Sequence, residues 1–400
     1  MKRALLLLAC VPLAAQSIYP PDRLALLRRA VDEAYQLNHA EARAICQQYI
    51  ARWPDDAAGY TYLARIQWSE ELANRQLFTL DRFSADEFFS DEGHLKVNVA
   101  PAVEARFRKL SDDALARAKA RLKISPEDRQ TRFTLGVAYQ NLASFEACLR
   151  TKWWLAVRYA DQALKYHQEL VSSSAPVADA RVTTGISKYA IGSVPFRFRW
   201  LTFLLGYHGD KTAGKRELQI AAEQGELASA DASVILVLLH TLDSEYDAAK
   251  LQLDRLHTRY PRNYLVHLEM AALESRRGRH AEAEKLYQEI LEMVEARSNG
   301  YERLERAVVY SQHGVARRAA ADYAAAEKLL RQSLIEPGAA ERIKTAARLE
   351  LGKTLDLMGR RKEALAEYRQ VHAAEDFAGT RHEAGRLIKA PFSMPAQTAK

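Results

Sequence analysis

The sequence predicts an all-α protein assembled from helix-turn-helix repeats, and three observations predict it. A small residue in one helical stripe is followed twelve residues later by an Ala in the next: Gly314 with Ala326, Gly352 with Ala364, and Ala271 with Ala283. Helical stripes stop at proline in three places, Trp53-Pro54, Ser125-Pro126 and Tyr260-Pro261, where the lost N–H and the restricted preceding residue end a helix. Strand patterns are nearly absent, and Gly and Pro are few and sit largely between apolar stripes of helical period.

Residues 348–371 show the unit in full: two apolar-striped helices broken at Gly359. Gly352 and Ala364 leave no side chain where the two backbones cross, while Leu351 and Tyr368 fill the flanking space. The same marks recur at Met270, Ala271, Gly278, Ala283 and Tyr287, and at Tyr310, Gly314, Tyr323, Ala326 and Leu330. Upstream they appear as Leu135, Gly136 and Tyr139, as Leu63 and Ala64, and as Ala249 in a second helix ending at Tyr260-Pro261. This pattern resembles the tetratricopeptide repeat, which carries Leu-Gly in its first helix, Gly before the turn, then Ala and an aromatic in its second. Leu351, Gly352, Gly359, Ala364 and Tyr368 fill those places, and Arg348 and Leu355 stand where the first helix usually carries aromatics. The resemblance implies a right-handed superhelix, an α-solenoid, over most of residues 22–375, with about six to eight units. Ala283 to Ala326 is 43 residues and Ala326 to Ala364 is 38, which predicts longer helices or loops than the short form of the repeat.

Taken in order, residues 1–16 have the layout of a secretory signal peptide: Met1-Lys2-Arg3, an apolar run from Ala4 to Leu13, then Ala14-Ala15-Gln16-Ser17. That run is too short to anchor in a bilayer, so cleavage near Ala15 or Gln16 and a periplasmic or secreted chain are expected. Leu7-Leu8-Ala9-Cys10 also resembles a lipoprotein attachment box, which would leave a lipid on Cys10. Residues 17–68 read as the N-terminal repeat and 69–110 as an insertion centred on Phe83, Phe88 and Phe89, either a recognition element or a loop tucked under the end of the superhelix. Asp86, Glu87, Asp91 and Glu92 within it fit no calcium-loop spacing.

Residues 111–228 form a central helical region containing an aromatic segment, 195–206, in which Arg197 and Arg199 alternate with Phe196, Phe198 and Trp200. That composition suits a helix buried on several sides or a segment at a lipid interface. Pro195, Gly209-Asp210, Gly214 and Leu218 resemble the central region of eukaryotic tetratricopeptide proteins of the inclusion-body-clearance group, a likeness that transfers no chemistry. Residues 229–375 are the C-terminal repeats and 376–400 a tail.

The 400 residues carry a net charge of +7, two charges of which leave with Lys2 and Arg3. The charges alternate in sign along the helices, as solvated helix faces do, and form no basic stripe with stacking aromatics, so nucleic acid is not the expected partner. Cys46 and Cys148 follow the signal peptide with no Cys-x-x-Cys, which gives no redox or zinc signature. Cys46 occupies the second-helix aromatic position of the first repeat and is expected as a buried free thiol.

Zinc-hydrolase, serine-elbow, dinucleotide and phosphate-loop motifs are all missing, so no enzyme activity, cofactor or metal is expected. His39 and His280 open second helices ahead of Ala-Glu-Ala and read as repeat positions. The face lined by first helices is sampled three residues before and one after each small residue: Phe133 and Val137, Leu268 and Ala272, Ser311 and Val315, Leu349 and Lys353. The Lys and Asn that clamp C-terminal carboxylates in some family members are not there. The face reads as mixed apolar, with Phe133, Arg276, Arg318 and Lys353 as candidate partner-binding residues. The expected function is an exported, non-catalytic scaffold that cradles a protein or peptide; the alternative is a membrane-surface or lipid-associated protein using residues 195–206.

Overall fold

Five turns of nearly the same shape organise the chain, each joining two antiparallel helices. The computed structural model describes residues 17–74, 99–150, 152–193, 209–377 and 379–394. Residues 1–16, read above as a signal peptide, with Cys10, the aromatic segment 195–206, most of the insertion and the end of the tail lie outside these residues. Within them run α1 (Pro21–Tyr35), α2 (His39–Arg52), α3 (Ala57–Asn74), α4 (Pro101–Ile124), α5 (Arg129–Phe145), α6 (Trp153–Val171), α7 (Arg181–Gly192) and α8 (Lys211–Gln224). They continue as α9 (Ser229–Leu242), α10 (Tyr246–Arg259), α11 (Tyr264–Arg276), α12 (His280–Glu295), α13 (Arg306–Ala319), α14 (Tyr323–Ile335), α15 (Glu341–Leu357), α16 (Arg361–Ala373) and α17 (Thr380–Lys389). One π turn, Glu146–Arg150, follows α5. Successive helices pack as eight pairs, α1 with α2 through α15 with α16, and α17 closes the last. The fold is an all-α helical repeat.

The turns explain why so few residues suffice between helices. Leu37, Ser244, Gly278, Ala321 and Gly359 all take the left-handed conformation, with φ between 59° and 74°. The next residue in each, Asn38, Glu245, Arg279, Asp322 or Arg360, returns a backbone N–H to the carbonyl five residues back, the closure that satisfies the last turn of a helix. Only two of the five carry the Gly that marks them in sequence. A left-handed L-residue costs roughly 1–2 kcal/mol, so Ala321→Gly should raise the denaturation midpoint by about 0.5–1 kcal/mol of stability, and Gly278→Ala should lower it comparably.

The proline stops behave alike. Trp53, Ser125 and Tyr260 cap α2, α4 and α10 with φ between −134° and −127° and ψ between 65° and 80°. A residue before proline is driven out of the α region in this way.

Each small first-helix residue meets a large second-helix one. A Cβ placed on Gly136, Gly185, Gly314 or Gly352 would lie closer than 3.0 Å to His167, Leu218, Leu330 or Tyr368 respectively. His167 therefore stands where other repeats carry an aromatic or Leu. Its ring bridges Thr183 Oγ1 (2.7 Å) and the Phe133 carbonyl (3.0 Å), and burial lowers its pKa to about 4.

Two boundaries shift from the sequence reading. The insertion is shorter than 69–110, because α3 runs to Asn74 and α4 begins at Pro101; it joins the two helices of the second pair. Within the tail, α17 buries Thr380, Ala384 and Leu387 and packs against α16. Cys46 has a buried free thiol, and burial pushes its pKa up to about 12, as an inert core cysteine requires.

Candidate partner-binding site

The first pair folds back on the fifth and sixth pairs. Tyr35 at the end of α1 stacks on Tyr260, ring centroids 5.0 Å apart, and Asn263 Nδ2 donates to the Tyr35 carbonyl at 2.8 Å. Tyr35 and Arg65 both donate to Asp231 on α9, and Tyr260 donates to Asp32 at 2.8 Å. Farther along, Arg342 reaches the Asn74 carbonyl at 3.2 Å. A seam of contacts thus joins α1 and α3 to α9–α11.

Of the four candidate residues, two come together. Arg318 on α13 donates to the Glu350 carboxylate and to its carbonyl, at 2.5 and 3.0 Å. Lys353 on α15 pairs with Glu350 and with Glu383 of α17, both at 2.8 Å. Burial alone would raise the Glu350 carboxyl, but Lys353 and Arg318 outweigh it and hold the pKa down to about 2. Lys353 is in turn held above its ordinary value, Glu350 and Glu383 outweighing the burial that would lower it. Two cations and two carboxylates make a neutral, ordered strip.

The same strip extends to Asp356, one helical turn beyond Lys353, whose side chain is fully buried. Asp356 accepts from Tyr368 Oη at 2.9 Å and Arg361 Nη1 at 2.9 Å. Its remaining partner is the backbone N–H of Phe392, at 2.8 Å. The Phe392 ring lies over Arg318 and Lys353, 5.5 and 5.7 Å from guanidinium carbon and ammonium nitrogen.

Phe133 and Arg276 do not join them. Phe133 is 1% exposed, stacked on His167 with Tyr19 edge-on, so as a partner contact it is corrected to a core residue: the first-helix face it occupies is covered by Tyr19, which precedes α1. Arg276 lies 4.0 Å from Glu269 on its own helix. A separate cavity of about 240 Å³ opens between α10, α11 and α12, lined by Lys250, Met270, Glu274, Lys285 and Glu289 among others.

Glu350, Asp356 and Glu383 were missed in the sequence. Glu350 stands two residues before Gly352 and Asp356 four after it, so helical spacing from Lys353 places them on one strip; nothing local signals Glu383 or Phe392. Among the described residues, no group of three His, Cys, Asp or Glu is placed to hold a metal ion, and no helix is long and apolar enough to cross a membrane.

Residues 264–334 match the family model for the tetratricopeptide repeat, which spans α11 to α14. No curated relative matches the chain. Solved structures similar to it include yeast Tom70, at 14% identity over 92% of this chain and 81% of that one with a TM-score of 0.38. The human IFIT1 dimer with m7Gppp-AAAA is similar at 12% identity over 93% and 86%, TM-score 0.44. The Cut9–Hcn1 hetero-tetramer of the APC/C is similar at 14% over 92% and 96%, TM-score 0.21. With TM-scores below 0.5 these likenesses add nothing on binding. The match places tetratricopeptide repeats at residues 264–334, and the turn closure and small-to-large register of the other pairs are similar to those of the matched units within one all-α helical-repeat fold.

Proposed function

We propose that the protein is an exported, non-catalytic scaffold that binds a protein or peptide along its first helices. The observation that supports this best is the Arg318–Glu350–Lys353 strip: two buried cations held in fixed geometry on Glu350, on first helices that begin within and continue beyond the matched repeats, with an aromatic residue already seated on it. Fixed polar groups beside apolar surface are what a peptide groove needs, because they orient a main chain without ordering cost at binding. Export rests on the layout of residues 1–16, and the mixed charge of the surface supports a protein over a nucleic acid.

Affinity capture with the mature chain from the exported fraction of the source cells should recover one protein in stoichiometric amount. The chain expressed with residues 1–16 in the source cells should be recovered beginning at Gln16 or Ser17 by mass spectrometry. Recovery of no partner at high coverage sinks the scaffold reading, and an intact Met1 sinks export.

One observation favours the lipid-associated alternative. Trp154 and Val157 stand 69% and 65% exposed on α6, flanked by exposed Lys152 and Arg158, an apolar and basic pairing suited to headgroups. Flotation with anionic liposomes separates the readings, since the scaffold predicts no membrane-bound fraction.

A further inference from the structure

Pro391 cannot continue a helix and holds Ala390 extended; accordingly α17 ends at Lys389 and Ala390 has φ −137° and ψ 138°. The chain then turns back along the first-helix strip instead of leaving the surface. Arg361 fixes the departure by donating to the carbonyls of Leu387 and Ile388 at 2.7 and 2.9 Å. Beyond that point the attachment is slight. It consists of the Phe392 N–H on Asp356 and a half-buried ring that lies over two cations and packs on the edge of the last apolar cluster, while Met394 is 43% exposed.

The receiving side is far better built than its occupant requires. Asp356 is buried and oriented by Tyr368 and Arg361, and Arg318 and Lys353 are locked on Glu350. Because each cation already has a carboxylate, the strip is no clamp for an acidic terminus. What it offers is two fixed, carboxylate-paired cations under the negative face of an aromatic ring, and the Asp356 carboxylate for one main-chain N–H.

We propose that the strip formed by Arg318, Lys353 and Asp356 is a binding subsite for an aromatic residue of an extended peptide, and that the chain's own Ala390–Met394 segment occupies it until a partner displaces it. This rests on the scaffold reading and deepens it by naming what the scaffold holds. The tether keeps Phe392 at a local concentration on the order of millimolar, so an external peptide meets a site that is mostly filled and binds with its affinity reduced by the open fraction.

The test uses the full chain and a fluorescent peptide with the sequence of Ile388–Met394, followed by anisotropy. Phe392→Ala should bind the peptide at least tenfold more tightly than the unaltered chain, and adding Lys353→Met should abolish the gain. Phe392→Trp should restore closure, and its indole emission should shift as saturating peptide displaces it. Equal binding by the unaltered chain and Phe392→Ala, or none by Phe392→Ala, overturns the proposal. Should Phe392→Ala lose amide protection in α17, the Phe392→Trp chain decides, and constant emission under saturating peptide overturns it. None of these results depends on the capture experiment, so a scaffold with a partner held elsewhere would be recognised as such.

Discussion

Gly352→Leu should destabilise the C-terminal repeats by about 1–3 kcal/mol, the usual cost of overpacking a close helix crossing, whereas Lys362→Leu should change stability by less than about 0.5 kcal/mol. Even a Cβ at Gly352 meets the Tyr368 ring, and the ring has nowhere to retreat because its hydroxyl is fixed on Asp356. Lys362 is exposed on α16. Leu351, Leu355, Ala364, Tyr368, Ala384 and Leu387 share one apolar cluster, so the damage should spread from the α15–α16 pair into α17. A repeat protein passes such a loss mainly to adjacent units. Amide exchange should therefore quicken first between Ala346 and Val371 and in α17, while α5 and α6 keep their protection. Equal exchange in the two variants would contradict the register on which the repeat assignment stands.

That register was legible because close helix packing leaves a compositional trace: a Gly or Ala at the crossing cannot be exchanged for a bulky residue, and proline after a second helix stops it wherever it occurs. The turns were half legible. Gly278 and Gly359 announce a left-handed residue, but Leu37, Ser244 and Ala321 adopt the same conformation with the strain absorbed by helix packing on either side, and no residue type betrays them.

The candidate site was legible only as far as one helix reaches. Arg318 and Lys353 follow from their offsets to Gly314 and Gly352, and Glu350 and Asp356 lie within the same helical period. The contacts made by Glu383 and Phe392 depend on the direction in which α17 leaves the last pair, which spacing does not encode. Phe133 fails for a related reason. Its offset from Gly136 is the same as that of Leu349 from Gly352, yet Tyr19, more than a hundred residues away in sequence, covers it. The seam of Tyr35, Arg65, Asp231 and Tyr260 likewise joins helices more than 160 residues apart, and each of its members looks like an ordinary surface or core residue in its own segment.

Glu350→Gln should cost about 3 kcal/mol near neutral pH and should remove one specific part of the acid response. The carboxylate is shared by Arg318 and Lys353, which are 8% and 9% exposed, and removing the acceptor from a buried pair leaves charge without compensation, typically a loss of about 3–5 kcal/mol. Lys353 keeps Glu383 and Arg318 keeps the residue-350 carbonyl, which places the expected loss at the lower end. Because the Glu350 pKa is depressed to about 2 from an ordinary 4.5, its contribution is fully present above about pH 4.5 and is lost as the pH falls toward 2. His167 and His267 are depressed to about 4 by burial. Their contribution fades earlier, from about pH 6.5 down to 4, and it does not involve Glu350. Denaturant midpoints measured from pH 7 to pH 3 should therefore fall in parallel for the two chains down to about pH 4.5 and converge below it. Parallel curves through the whole range would show that Glu350 is not what holds the two cations, and the strip would lose the electrostatic order that makes it a receiving surface.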